Sequence, residues 1–197
     1  MILPETPDEQ AYNTAHKGNR CQQQPCGARL ALWPGSIVVD PASGNALIFY
    51  SLVSALPGNF NFQVIGNSVA TWQSIQDQPQ RPTINPPIVT DHPDLLFGQN
   101  EPNFGSAALI SGRTLYVYGC GTPTDGRDKG CRLGKVDSAN ALDRSGWTFY
   151  ADNWAIGPRK LAMQFLCLPA TTSSALRGTT ISSVISRSTA HRSLKTS

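Results

Sequence analysis

A chain of 197 residues with 40% apolar side chains can bury a core as one domain, or as one domain with an appendage. Its 17 Gly, 15 Pro and only 15% charged residues give the punctuation of many short strands and exclude the composition of a helical protein. The net charge of +3 conceals a split: six of the 16 Lys and Arg fall from Arg159 onward, where no Asp or Glu occurs, so the residues before it carry a net negative charge.

Taken in chain order, residues 1–27 read as an irregular segment. Its opening, "MILPETPDEQ", has neither the basic nor the apolar region of an export signal, and no apolar run in the chain is long enough to predict a membrane span. Strand patterning begins near Ala28. "GSIVVDPASGNALIFY" (35–50) is a β-hairpin by its turn chemistry: Asp40, Pro41, Ser43, Gly44 and Asn45 separate two apolar runs. "GSAALISGRTLYVY" (105–118) repeats it around Ser111-Gly112-Arg113, starting again with Gly-Ser and ending again with Tyr. Further strand material follows each hairpin, "FNFQVIGNSVATW" (60–72) after the first, and "CRLGKV" (131–136) and "GWTFYA" (146–151) after the second. The fold class expected is therefore all-β, with antiparallel four-stranded units occurring twice as the blades of an incomplete β-propeller over 28–162. A β-sandwich holding two similar hairpins is the alternative. Two such units alone leave both outer sheet faces uncovered.

The remainder, 163–197, is a basic tail: 14 of the 30 residues from Leu168 are Ser or Thr, with no aromatic residue and no sustained periodicity, so disorder is predicted, with loose helix as the alternative. Its cations are scattered rather than clustered, and nucleic acid is not an expected partner.

The segments "LWPGSIVVDPASGNALIFYS", "LLFGQNEPNFGSAALISGRTLYVYGCG" and "CRLGKVDSANALDRSGWTFYADNWA" resemble a family of secreted β-propeller domains, long described only as a domain of unknown function. That family resembles the five-bladed glycoside-hydrolase propellers, and some members cleave furanose polymers of the arabinan type. The resemblance covers about residues 28–158 and is most specific in Tyr-x-Tyr-Gly-Cys. It implies an extracellular location and a polysaccharide partner. The family's first-blade strand, of Phe-Gly-Asp-Thr type, has no counterpart before Ala28, and the match ends near Ala162, so the chain looks like a partial member.

Glycosidic cleavage needs two opposed carboxyl groups, one acid and one base or nucleophile. Glu101, in "GQNEPNFGS" just ahead of the second hairpin, is the first candidate and Asp94, in "DHPDLLF", the second. Trp33, Trp72 and Asn103 are the candidate sugar-contacting residues, the indoles offering large apolar faces with little entropy to lose. Trp147 and Trp154 are expected between blades. Cys120 and Cys131 bracket "GTPTDGRDKG" and predict a disulfide, free thiols being the alternative; ten intervening residues do not suit zinc. Cys21 and Cys26 are a weaker pair, and Cys167 is left over. No nucleotide, phosphate-loop, metalloprotease or serine-hydrolase motif occurs, and no metal or cofactor is expected.

Overall fold

The computed structural model describes residues 3–121, 130–151 and 153–156, with backbone alone for Ala151 and 153–156. The predicted disorder of the tail, Cys167, the side chain of Trp154 and the loop between Gly121 and Gly130 lie outside these residues.

The expectation of an irregular segment over 1–27 is corrected by a helix, α1 (Pro7–Ala15). Thr6-Pro7-Asp8-Glu9 is a capping box: the Thr6 hydroxyl accepts from Glu9 N at 3.3 Å, and the Glu9 carboxylate accepts from Thr6 N at 2.9 Å. Pro7 stands at the start of the helix, where its missing N–H has no partner to lose.

Two antiparallel sheets follow, and the protein is mostly β. The first runs β1 (Arg29–Val39), β2 (Ala46–Ala55), β3 (Phe62–Trp72) and β4 (Phe97–Gly98), each strand beside the next. The second runs β5 (Asn103–Ser111), β6 (Thr114–Gly121), β7 (Gly130–Asp137), β8 (Thr148–Ala151) and β9 (Asn153–Ile156), again in chain order. The two predicted hairpins are β1–β2 and β5–β6, and they belong to different sheets. The fourth strand of the first sheet comes from Phe97–Gly98, a segment the hydrophobic pattern does not mark. The second sheet has five strands rather than four.

The Gly-Ser that opens each hairpin sequence is a ladder irregularity. Pairing breaks between Pro34 and Ile37 in β1, and between Phe104 and Ala107 in β5. Bulges bend a strand and increase its twist, and both strands bend where they meet. A Cβ on Gly35 would lie 2.6 Å from the Gly105 carbonyl oxygen, and Ser36 Oγ donates to that oxygen at 2.9 Å.

Alternation along β2 separates two cores. Leu47 and Phe49 face the second sheet and join Val69, Phe97, Phe104, Leu115, Val117, Val136, Trp147 and Phe149. Phe97 meets Phe104 at 4.6 Å between centroids and Trp147 edge-on at 5.1 Å. Gly119 makes room for this cluster, since a Cβ there would stand 2.7 Å from the Phe104 ring. Trp147 thus packs between the sheets as expected. Ile48, Tyr50 and Leu52 point the other way, onto Leu3, Leu32, Ala70 and Leu95. The outer face of the first sheet is therefore covered in part, against the expectation of two bare faces, while Ile37 and Val39 on that face stay 52% and 59% exposed. On the second sheet Leu109 and Tyr118 are 50% and 42% exposed.

Both cysteine pairs form disulfides, Cys21–Cys26 and Cys120–Cys131. Cys120 and Cys131 are directly opposed in the β6–β7 ladder, so the bond staples neighbouring strands.

Candidate functional site

The junction of β1 and β5 holds a cleft of about 150 Å³ lined by Trp33, Pro34, Ser51, Asn103, Phe104 and Ser106 among others. Register builds its floor. Trp33 pairs with Ser51 and Ser51 with Asn67, which puts the three side chains in one cross-strand row on one face. Asn103 reaches this row from the second sheet. Its Oδ1 accepts from Ser51 Oγ at 2.8 Å and from Asn67 Nδ2 at 2.5 Å, and Asn67 Oδ1 accepts from Phe104 N at 3.2 Å. The two bonds to Oδ1 fix which end of the Asn103 amide is oxygen. Its NH₂ then has no partner among the described residues and is left to the cleft. Trp33, 44% exposed, walls one side and meets Phe62 at 4.9 Å between ring centroids.

Trp33 and Asn103 are thus brought together, and Trp72 is not. Trp72 pairs with Ala46 at the far end of the first sheet, where its indole N–H donates to Asp77 O at 2.9 Å. It packs on the outer core of that sheet.

The two candidate carboxylates are each held by an arginine. Glu101 accepts from Gly98 N at 2.8 Å through one oxygen and pairs with Arg144 through the other. Arg144 is buried, its guanidinium 4.6 Å above Phe97 and 5.0 Å above Phe149. Burial lowers the Arg144 pKa below its ordinary value, with the Glu101 charge opposing that change. Asp94 belongs to a separate buried cluster. Its Oδ2 accepts from Tyr50 Oη at 2.6 Å and from Arg81 Nη2 at 2.7 Å, while Arg81 forks onto both Glu9 oxygens at 2.6 Å. Arg81 also donates to Pro4 O at 2.9 Å, so this cluster anchors the N-terminal segment to the first sheet. Burial, then the Asp94 charge, raises the Tyr50 pKa; burial opposes the Arg81 charge, but its hydrogen bond to Glu9 and the other polar partners outweigh it. The two carboxylates share no partner.

A larger cleft of about 270 Å³ lies at the β1–β2 turn, lined by Asp40, Ser43, Asn45, Thr71 and Ser138 among others. Its carboxylate is already used. Asp40 accepts from Ser43 Oγ at 2.7 Å and Ser138 Oγ at 3.1 Å, and the Ser43 bond leads the causes that hold its pKa below the ordinary value. With no aromatic wall and no uncommitted charge, this cleft joins turn to turn rather than offering a ligand site. Among the described residues no group of three or more His, Cys, Asp or Glu could hold a metal ion.

Arg81, Arg144 and Phe62 were not singled out from sequence. Arg81 sits in "DQPQRPTINPP", without period or motif, and nothing local names its partners. Phe62 was visible only as strand material.

Fold and cleft together define a mostly β protein of two packed antiparallel sheets with an aromatic-walled polar cleft where their first strands meet. In comparisons with known proteins the chain matches no family model, no curated protein and no solved structure.

Proposed function

We propose that the chain comprises two consecutive blades of a β-propeller of the carbohydrate-active kind it resembles, and that it binds a polysaccharide, a furanose polymer such as arabinan, between β1 and β5. Two chain-ordered meanders packed face to face, with their first strands adjacent, support the blade reading. The observation that carries the ligand reading is the Asn103 amide. Its oxygen is tied down by Ser51 and Asn67, and its NH₂ is presented beside the exposed Trp33 face. An apolar plane next to a fixed donor suits a sugar ring, whose C–H face stacks while its hydroxyls accept.

Binding is favoured over hydrolysis because Glu101 and Asp94 are each committed to an arginine, in clusters that share no partner. Two disulfides suit an oxidising compartment, in keeping with the secreted family the sequence resembles.

The test is affinity electrophoresis or calorimetry with arabinan oligosaccharides. Trp33→Ala should abolish detectable binding, Asn103→Ala should weaken it about tenfold as a directed hydrogen bond is lost, and Trp72→Ala should leave it unchanged. Equal binding by wild type and Trp33→Ala would reject the site.

A further inference from the structure

The β2–β3 turn ends the first sheet in an apolar tip that takes no part in the cleft. Residues 56–61, Leu-Pro-Gly-Asn-Phe-Asn, form a closed loop: Leu56 N donates to Asn61 O at 2.8 Å, and Asn61 Nδ2 donates to Pro57 O at 3.1 Å. Within it Phe60 adopts φ 56°, the left-handed region, the one non-glycine to do so among the described residues. That conformation is unfavourable for a bulky side chain and persists where the surroundings enforce it. Its result here is a phenyl ring 93% exposed. Leu56 and Phe62, at the two ends of the turn, are 41% and 47% exposed.

Basic residues lie to one side of the tip. Arg29 pairs with Ala55 in the β1–β2 ladder, and Ala55 pairs with Phe62 in the next. A Cβ on Gly27 would stand 3.6 Å from Pro57, which seats the Cys21–Cys26 loop against the turn. That loop follows Lys17 and Arg20, and all three cations are exposed. The chain has no Asp or Glu from Gln10 to Val39, nor from Pro41 to Gln76, so the segments that build this end of the molecule hold no acid to offset them.

We propose that this tip docks the protein on an anionic lipid bilayer, with Leu56, Phe60 and Phe62 entering the interface and Lys17, Arg20 and Arg29 meeting the phosphate groups. Apolar side chains flanked by cations are what such a surface binds. A sugar polymer would use the ring faces but give Leu56 and the cations no partner. A second copy packed symmetrically would set the three cations against themselves. The docking is to the surface only: among the described residues no helix is long and apolar enough to cross a membrane. Leu56 and Phe60 do not line the cleft, and Phe62 borders it through its contact with the Trp33 ring at 4.9 Å.

The experiment is vesicle flotation of the full, disulfide-intact chain, using phosphatidylcholine alone and phosphatidylcholine with about one third phosphatidylserine, the composition that supplies anionic charge. Wild type should float with the anionic vesicles and not with the neutral ones. Phe60→Ser should cut that binding about tenfold, the loss expected for one ring kept out of the interface. Lys17→Gln with Arg20→Gln should weaken it about fivefold or more and flatten its salt dependence. Phe60 touches no core, so circular dichroism should show both variants folded. Absence of wild-type binding to anionic vesicles, or Phe60→Ser binding as wild type does, overturns the proposal. Concentration-dependent self-association that Phe60→Ser abolishes, with no vesicle binding, overturns it in favour of a second copy.

Discussion

Gly35 and Gly105 stand back to back where the two sheets meet, so close that a methyl on Gly35 would lie 2.6 Å from the backbone oxygen of Gly105. Gly105 is bounded twice over. Its φ of 111° suits only glycine, and a Cβ there would come within 2.5 Å of Phe49 Cβ, in the inter-sheet core. Gly105→Ala should therefore cost roughly 2 kcal/mol or more in a denaturant titration, combining backbone strain with overpacking. Gly112→Ala is the comparison, since its φ is 60° but nothing lies within 4 Å. It should cost about 1 kcal/mol. Equal costs for the two would mean that the sheets do not meet at Gly105.

Arg81 is the cation that two buried carboxylates share, with Glu9 on one side and Asp94 on the other. Arg81→Met keeps the length of the side chain and removes the charge, leaving both acids buried without a countercharge, Glu9 with Thr6 N and Asp94 with Tyr50 Oη as their remaining donors. Loss of about 3–5 kcal/mol is expected at neutral pH, because breaking a buried ion pair strands its charges. An Arg81→Met protein as stable as wild type at neutral pH would show that the N-terminal segment is not anchored by this cluster.

Tyr50 sets a limit at the alkaline end. Its pKa is raised above the ordinary value of 10.0, by burial first and the Asp94 charge second. A raised acid pKa in the folded state means that the unfolded chain loses the proton sooner. The contribution is therefore complete below pH 10 and declines as the pH rises above it. Equilibrium unfolding should show stability falling above pH 10, with a shallower fall for Tyr50→Phe. At neutral pH that variant should lose about 1–3 kcal/mol, the cost of leaving Asp94 one donor short.

Cys120 and Cys131 close a loop between adjacent strands, eleven positions apart. Replacing both with Ser should lower stability by roughly 2–3 kcal/mol in the chain-entropy account of a loop this size. A melting temperature indifferent to the replacement would show that the β6–β7 ladder holds its register unaided.

How legible each feature was follows from the range of the interactions behind it. The paired hairpins could be read because turn residues and alternation are local, and the repeated Gly-Ser marks a real event, the interruption of each ladder. The capping box at Thr6 was equally local and could have located α1. β4 could not be read in this way: Phe97–Gly98 is too short to show alternation, and it pairs because Gly66 on β3 has no Cβ to meet the Phe97 carbonyl, 2.4 Å from where one would stand. Trp33 and Asn103 were legible as residue types suited to sugars, but their meeting depends on Asn67 and Ser51, thirty-six and fifty-two positions from Asn103. The engagement of Asp94 and Glu101 by arginines was illegible for the same reason, since Arg144 lies forty-three positions from Glu101 with nothing between them to announce the pair.

That pair gives the last prediction, which separates a structural acid from a catalytic one. Glu101 is only partly exposed, and its two oxygens hold Gly98 N and Arg144. Arg144 in turn lies buried over Phe97 and Phe149, and its Nε and Nη1 have no hydrogen-bond partner among the described residues. Glu101→Gln removes the one countercharge that this guanidinium has among the described residues, while keeping the shape of the side chain. Stability should fall by about 1–3 kcal/mol, less than for a fully buried pair because water reaches Glu101. Arabinan binding at the Trp33 cleft should be unchanged, since Glu101 does not line it. Reducing-end release from arabinan should be undetectable for both proteins, because hydrolysis requires two opposed carboxyl groups, whereas Glu101 and Asp94 are bound into different clusters. Wild-type protein that liberates oligosaccharides, and loses that ability in Glu101→Gln while keeping its stability, would make Glu101 a catalytic residue and overturn the binding-only reading.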